Sequence, residues 1–125
     1  MKNVLVVDDS GTMRRMVVAS LRTLQDVSFH EVGNGLDAIE RLSIGTVHLI
    51  ILDLNMPDMH GLEVITFVRK HTTFRSIPII VLTTRGDDES RTSALAAGAS
   101  LYLTKPFDPA VLAEHANRLL NLDVN

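Results

Sequence analysis

The sequence predicts an α/β domain, (βα)5, with a five-stranded doubly wound parallel sheet and helices on both faces. Three observations lead there. The short apolar runs VLVV (Val4–Val7), LIIL (Leu49–Leu52) and IIVL (Ile79–Leu82) have the length and continuity of strands buried on both sides. Two weaker candidates, VSFHEV (Val27–Val32) and SLYLT (Ser100–Thr104), bring the count to five. Helical patterns separate successive strands, and that alternation calls for parallel pairing through right-handed crossovers.

The elements follow in order. After the first strand, Met13, Met16, Val17, Ser20, Leu21 and Leu24 recur at helical spacing, with Ser10 placed as N-cap. Gly33-Asn34-Gly35 reads as a turn before a second helix over Leu36–Leu42, and a third helix covers Leu62–Lys70. Asp87 to Ala97 form the fourth, closed by Gly98. The fifth has Asp108 as N-cap and Pro109 at its first position, and it runs to about Leu120. No linker, repeat or low-complexity tract interrupts the chain, so residues 1–125 read as one domain without an output module.

Composition narrows the function. The 125 residues are 46% hydrophobic, enough for a core and against disorder. A net charge of −3 argues against nonspecific nucleic-acid or anionic-membrane binding. The absence of cysteine removes disulfides, thiolate metal sites and cysteine nucleophiles, and it suits a cytoplasmic protein. No apolar run approaches the roughly 20 residues of a membrane span, and MKNVLVVDD meets its acids too soon for a signal peptide.

Chemistry concentrates just past the strands, where ligands bind in sheets of this kind. Asp8 and Asp9 follow the first strand, Asp53 the third, Thr83 and Thr84 the fourth, and Lys105 and Pro106 the fifth. Alone, each is ordinary punctuation: a cap, a turn residue, a Lys-Pro before a helix. Together they bring three carboxylates, a hydroxyl and an ammonium to one edge. Two carboxylates ~4 Å apart repel by about 1 kcal/mol in water and about 4 kcal/mol at an effective dielectric of 20. One lysine does not offset that, whereas a hard divalent cation does. Oxygen ligands without His or Cys suit Mg²⁺, which binds through few carboxylates plus phosphate oxygens. Cation, lysine and threonine are what a phosphoryl group needs around its oxygens, and an aspartate can be its nucleophile. Asp53, at the end of the greasiest segment, is that aspartate.

These motifs, VLVVDDSGTMRR, LDLNMPDMHGLE, VLTT and AGASLYLTKPF, run along the whole chain. As a set in this order they resemble the response-regulator receiver family of two-component signalling, most of all its chemotaxis-type single-domain (CheY-like) members. The resemblance implies the strand order 2-1-3-4-5 known for flavodoxin and chemotaxis regulators; the pattern of elements does not itself supply it. It implies Asp53 as phosphoacceptor, Asp9 as a direct Mg²⁺ ligand, Asp8 acting mainly through water, and Asn55 contributing its backbone carbonyl. Thr83 would hydrogen-bond the phosphoryl group, Lys105 would pair with it, and Lys105–Pro106 would be cis. Tyr102 matches the aromatic whose inward or outward rotamer accompanies activation. The implied partners are a sensor histidine kinase of chemotaxis type and a target such as a flagellar-motor switch component, read through the fourth helix, fifth strand and fifth helix. A monomer that catalyses only its own phosphotransfer and autodephosphorylation is the expectation. Thr84 and Arg85 depart from close relatives. Arg85 and Asn55 flank the route of the hydrolytic water, so they would tune the lifetime of the phosphorylated state.

Other features read as structure. His30, His48, His60, His71 and His115 are scattered without ligand spacing. Met13 and Met16 read as core, Arg14 and Arg15 as a solvated face. SALAAGA gives the fourth helix little apolar bulk beyond Leu95, so it reads as weakly packed. Two alternatives keep the aspartyl chemistry: a phosphorelay shuttle, and a small Mg²⁺-dependent phosphohydrolase of the haloacid-dehalogenase type. The second wants an acid two residues after its nucleophile, where Asn55 stands. A flavodoxin-like electron carrier lacks its hydroxyl-rich phosphate loop here.

Overall fold

A computed structural model describes residues 1–56 and 59–121. Pro57 and Asp58, in the turn expected after Asp53, lie outside the described residues. Strands and helices alternate: β1 (Lys2–Val7), α1 (Gly11–Leu21), β2 (Val27–Val32), α2 (Gly35–Ile44), β3 (Leu49–Leu52), α3 (Gly61–Lys70), β4 (Ile79–Thr83), α4 (Asp88–Ala97), β5 (Leu101–Thr104) and α5 (Pro109–Leu119). All strand pairs are parallel, in the order β2-β1-β3-β4-β5. The order therefore reverses between β1 and β3, the place where such sheets bind ligands.

The apolar runs become strands because each buries both faces. Leu5, Val7, Ile50, Leu52, Ile79 and Val81 face α2, α3 and α4 through Ala38, Leu42, Val64, Ile65, Val68 and Ala94. Val4, Val6, Leu49, Ile51, Ile80 and Leu82 face α1 and α5 through Val17, Val18, Leu21, Leu112 and Ala116. The period-2 alternation of a strand thus feeds two cores from one apolar run. β2 is an edge strand with no residue fully buried, which is why its sequence is the most polar of the five.

The expected caps are present. Ser10 and Asp108 accept from the N–H groups of Met13 and Ala110, while Asp87, expected as the first residue of the fourth helix, instead caps it by accepting from the Ser90 N–H. The Gly-Asn-Gly turn is also a cap, since Asn34 accepts from the Asp37 N–H. Gly98 ends α4 at φ 121°, and a Cβ there would meet the Arg69 side chain at 2.6 Å. The histidines are satisfied locally: His48 Nδ1 accepts from the Asn3 N–H at 2.9 Å, His60 caps α3, and His71 stacks on Phe74. His30 and His115 lie against Arg41 and Arg118. Among the described residues, no helix is long and apolar enough to cross a membrane.

Four expectations give way. Met16 is 49% exposed and Met13 only half-buried, because α1 turns the contiguous Val17–Val18 pair and Leu21 onto the sheet. Its last turn also stops at Leu21, short of Leu24. Arg14 is not on a solvated face. Its side chain is 22% exposed and pairs with Glu31 on β2 at 3.2 Å. On α4 the buried residue is Ala94, while Leu95 is 40% exposed. The helix is weakly anchored as expected, but it rests on a small side chain.

Candidate functional site

Backbone hydrogen bonds carry the sheet one residue past its strands and align the ends. The Asp8 N–H donates to the Val32 carbonyl at 3.2 Å and the Asp53 N–H to the Val7 carbonyl at 2.9 Å. The Lys105 N–H donates to the Thr83 carbonyl at 2.8 Å. Residues 8, 53, 83 and 105, remote in sequence, are therefore placed by the ladder itself. The Lys105–Pro106 peptide is cis.

Asp8, Asp9 and Asp53 each present a carboxylate oxygen, and these oxygens lie within 4.8 Å of one another. Among the described residues they form the one group of three or more side chains disposed to hold a metal ion. Asp8 and Asp53 are 4% and 6% exposed, while Asp9 opens to solvent. Lys105 Nζ reaches Asp8 Oδ2 at 2.7 Å and Asp53 Oδ2 at 3.7 Å. Asp8 Oδ1 accepts from the Ser10 N–H at 2.9 Å.

Asp53 is left partly unsatisfied. Its Oδ1 is buried and has no hydrogen-bond partner among the described residues. Burial pushes the Asp53 carboxyl above its ordinary value, the Lys105 ammonium opposes that, and the Asp8 carboxylate adds to it. An orphaned carboxylate oxygen inside an acidic cluster is costly unless something occupies it. A hard cation and a phosphoryl group both fit, since one supplies charge to acidic oxygens and the other receives a nucleophile's free lone pair.

The switch candidates sit beside this cluster. Thr83 is fully buried at the end of β4. Tyr102 on β5 pairs in register with Val81 and is 4% exposed. Both hold the peptide units of residue 85. Thr83 Oγ1 accepts from the Arg85 N–H at 3.4 Å, and the Tyr102 hydroxyl donates to the Arg85 carbonyl. The Arg91 guanidinium lies over the Tyr102 ring, 5.9 Å from its centroid. Asn55, Thr84 and Arg85 are exposed, and the Arg85 side chain turns to Asp87 at 3.8 Å.

Sequence reasoning missed two contributors. Gly61 opens α3 directly against the site strand: a Cβ there would stand 2.7 Å from the Asp53 carbonyl oxygen and 2.7 Å from Leu54 Cα. Its N–H also donates to the Leu54 carbonyl at 3.0 Å. The glycine was visible in MHGLE, but a close approach of two backbones leaves no local pattern. Arg14, read as solvent-facing, donates to the Asp8 carbonyl at 2.6 Å. A cavity of about 770 Å³ lies at the other end of the strands, lined by Lys2, Gln25 and Asn117 among others, and the carboxylate cluster is not part of it.

The sequence profile of the response regulator receiver domain matches residues 4–117. The chain is 42% identical over 111 residues to chemotaxis protein CheY1 of Helicobacter pylori, covering 88% of this chain and 90% of that protein. The solved structure of chemotaxis response regulator CheY4 of Vibrio cholerae superposes with a TM-score of 0.86 at 34% identity, over 95% of this chain and 98% of that one. The Mn²⁺-bound form of response regulator Rcp1 superposes with a TM-score of 0.86 at 26% identity, over 100% and 98% of the two chains.

Proposed function

The chain belongs to the response regulator receiver domain family, and from that premise we propose that it is a chemotaxis-type switch that takes a phosphoryl group from a sensor histidine kinase onto Asp53. The observation that carries the reading is the buried Oδ1 of Asp53, unpartnered among the described residues, beside Asp8, Asp9 and Lys105. An Asp53 oxygen attacks phosphorus as an O–P bond forms. The N–P bond of the phosphohistidine breaks, and its electron pair stays on the imidazole.

Asp8, Asp9, Asp53 and the Asn55 carbonyl are the groups that would hold Mg²⁺, in keeping with the Mn²⁺-bound form of Rcp1. When bound, Mg²⁺ offsets the carboxylate repulsion and the charge developing on the phosphoryl oxygens. Lys105 brings an ammonium to the same oxygens, and the strand ends hold Asp53 rigid for in-line attack. Asn55 and Arg85, both exposed, would border the path of the water that later hydrolyses the acyl phosphate.

Phosphorylation puts a group of about −1.5 to −2 charges in place of the Asp53 carboxylate's own charge and brings three acceptor oxygens. Moving a two-state domain from 1:99 to 99:1 takes about 5.5 kcal/mol of differential interaction, and one bond to a charged group supplies roughly 1.5–3 kcal/mol. One contact is too little, so Thr83 and Lys105 act together. Thr83, turning to a phosphoryl oxygen, would release the Arg85 N–H, while Tyr102 keeps the Arg85 carbonyl. The residue-85 segment would then shift against the start of α4. Because α4 buries only Ala94, that shift would spread to the face of α4, β5 and α5, where a target such as a motor-switch protein would read it.

The test is labelling with acetyl phosphate. Wild type takes up to one phosphoryl group per chain, labile to hydroxylamine, while Asp53→Asn takes none and stays folded. Sustained turnover of p-nitrophenyl phosphate without stoichiometric label would instead make the chain a phosphohydrolase.

A further inference from the structure

The chain leaves the β1 ladder at Val7, and the next peptide is held partly by a side chain. Arg14 Nη1 donates to the Asp8 carbonyl at 2.6 Å. The same guanidinium gives its Nε–H to Glu31 Oε1 on β2 at 3.2 Å. It also covers Gly33 and Gly11, where a Cβ would stand 3.4 Å from Nη1 and from Nη2. Arg14 thus spans α1, the end of β2 and the turn that carries Asp8 and Asp9.

The Asp8 carbonyl and the Asp9 N–H belong to one planar peptide unit. Whatever fixes that carbonyl also fixes the N–Cα bond from which the Asp9 side chain departs. Asp9 is exposed, so little packing among the described residues directs its side chain. Asp8 is already held by the Ser10 N–H and by Lys105. The peptide plane is the remaining handle on Asp9. We propose that Arg14 is a positioning residue for the cation site: by anchoring the Asp8–Asp9 peptide it aims the Asp9 carboxylate at the oxygens of Asp8 and Asp53. The inference rests on the reading of that cluster as a Mg²⁺ site.

Two roles for Arg14 predict opposite signs. If charge were its whole contribution, removing a cation near the site would tighten the binding of a divalent cation. Loss of orientation weakens it, as removal of groups that orient metal ligands does by roughly 10- to 100-fold. Lysine in its place keeps the charge, but its single ammonium does not reproduce the fork that serves the Asp8 carbonyl and Glu31 together.

The experiment is calorimetric titration of MgCl₂ into wild type, Arg14→Ala, Arg14→Lys and Glu31→Gln, with melting curves of each in EDTA. The expected result is a dissociation constant raised roughly tenfold in Arg14→Ala, raised also in Arg14→Lys, and raised less in Glu31→Gln, where one of two anchors remains. Unchanged or tighter binding in both Arg14 variants overturns the inference, even if their melting temperatures fall. Should Arg14→Ala not fold, Arg14→Lys and Glu31→Gln decide the matter by the same criterion. Absence of Mg²⁺ binding by wild type overturns the metal reading itself, and the inference with it.

Discussion

Lys105 Nζ lies 2.7 Å from Asp8 Oδ2 and 3.7 Å from Asp53 Oδ2. The ammonium that shares the site with three carboxylates is thus bonded to a neighbour of the nucleophile, while Asp53 Oδ1 has no partner among the described residues. A closer Lys105–Asp53 pair would lower the energy of the ground-state carboxylate and with it the gain on reaction. Held by Asp8, Lys105 stands within a short reach of an oxygen that arrives on Asp53.

The clustered charge should respond to metal. At ten times its dissociation constant Mg²⁺ contributes about 1.4 kcal/mol to folding, a rise of roughly 5 °C in Tm for a domain of this size. Asp9→Ala should show no such rise. Without Mg²⁺ it should melt above wild type, because one of three repelling charges is gone. Equal Mg²⁺ shifts in the two proteins would reject Asp9 as a ligand.

Stability should also depend on the ionisation of Asp53. Its folded pKa is raised, chiefly by burial, so ionised Asp53 destabilises the native state at neutral pH. As pH falls through that raised value the native carboxyl takes its proton before the unfolded chain does, and the penalty disappears by about pH 3.8. In EDTA, Asp53→Asn should be more stable than wild type at pH 7, and the difference should shrink on acidification. Urea titrations at several pH values measure it, and a difference independent of pH would contradict the burial argument.

Gly61→Ala tests the close approach of α3 to the site strand. The added methyl would meet two backbone atoms at 2.7 Å, and neither can swing aside as a flexible side chain would. Overpacking of this kind costs roughly 1–3 kcal/mol, readable in urea unfolding. Slower acetyl phosphate labelling should accompany it, because the displaced backbone carries Asp53. A neutral substitution would mean that α3 is free to move away.

Thr83→Ala should separate chemistry from signalling. Asp53 should still accept the phosphoryl group, since the attacking oxygen and Lys105 remain. The affinity gain for a target on adding beryllofluoride should fall roughly ten- to a hundredfold, the worth of one charge-assisted hydrogen bond. Comparable gains in Thr83→Ala and wild type would reject Thr83 as the coupling residue.

Much of this protein was legible in the chain alone. Apolar runs, helical periodicity, Ser10 and Asp108 as caps, and the acids, threonine and lysine just past the strands are local properties. They are set by side-chain period and by the unsatisfied groups at element ends, so LIIL reads as a strand and Asp53 as its exit residue from the chain alone. Tertiary structure decided what depends on distance and rotation. It brought Lys105 to Asp8, separated by 97 positions, through a ladder that no local pattern encodes. It turned α1 so that Val17 and Val18 are buried and Met16 is not, because a contiguous apolar stretch allows more than one face and packing against the sheet selects among them. It rested α4 on Ala94 rather than Leu95 and set Gly61 against the Asp53 backbone, both consequences of how closely two elements approach. It also gave Arg14 to the Asp8 carbonyl, since whether an arginine faces water or an unpaired acceptor depends on which loop folds over it.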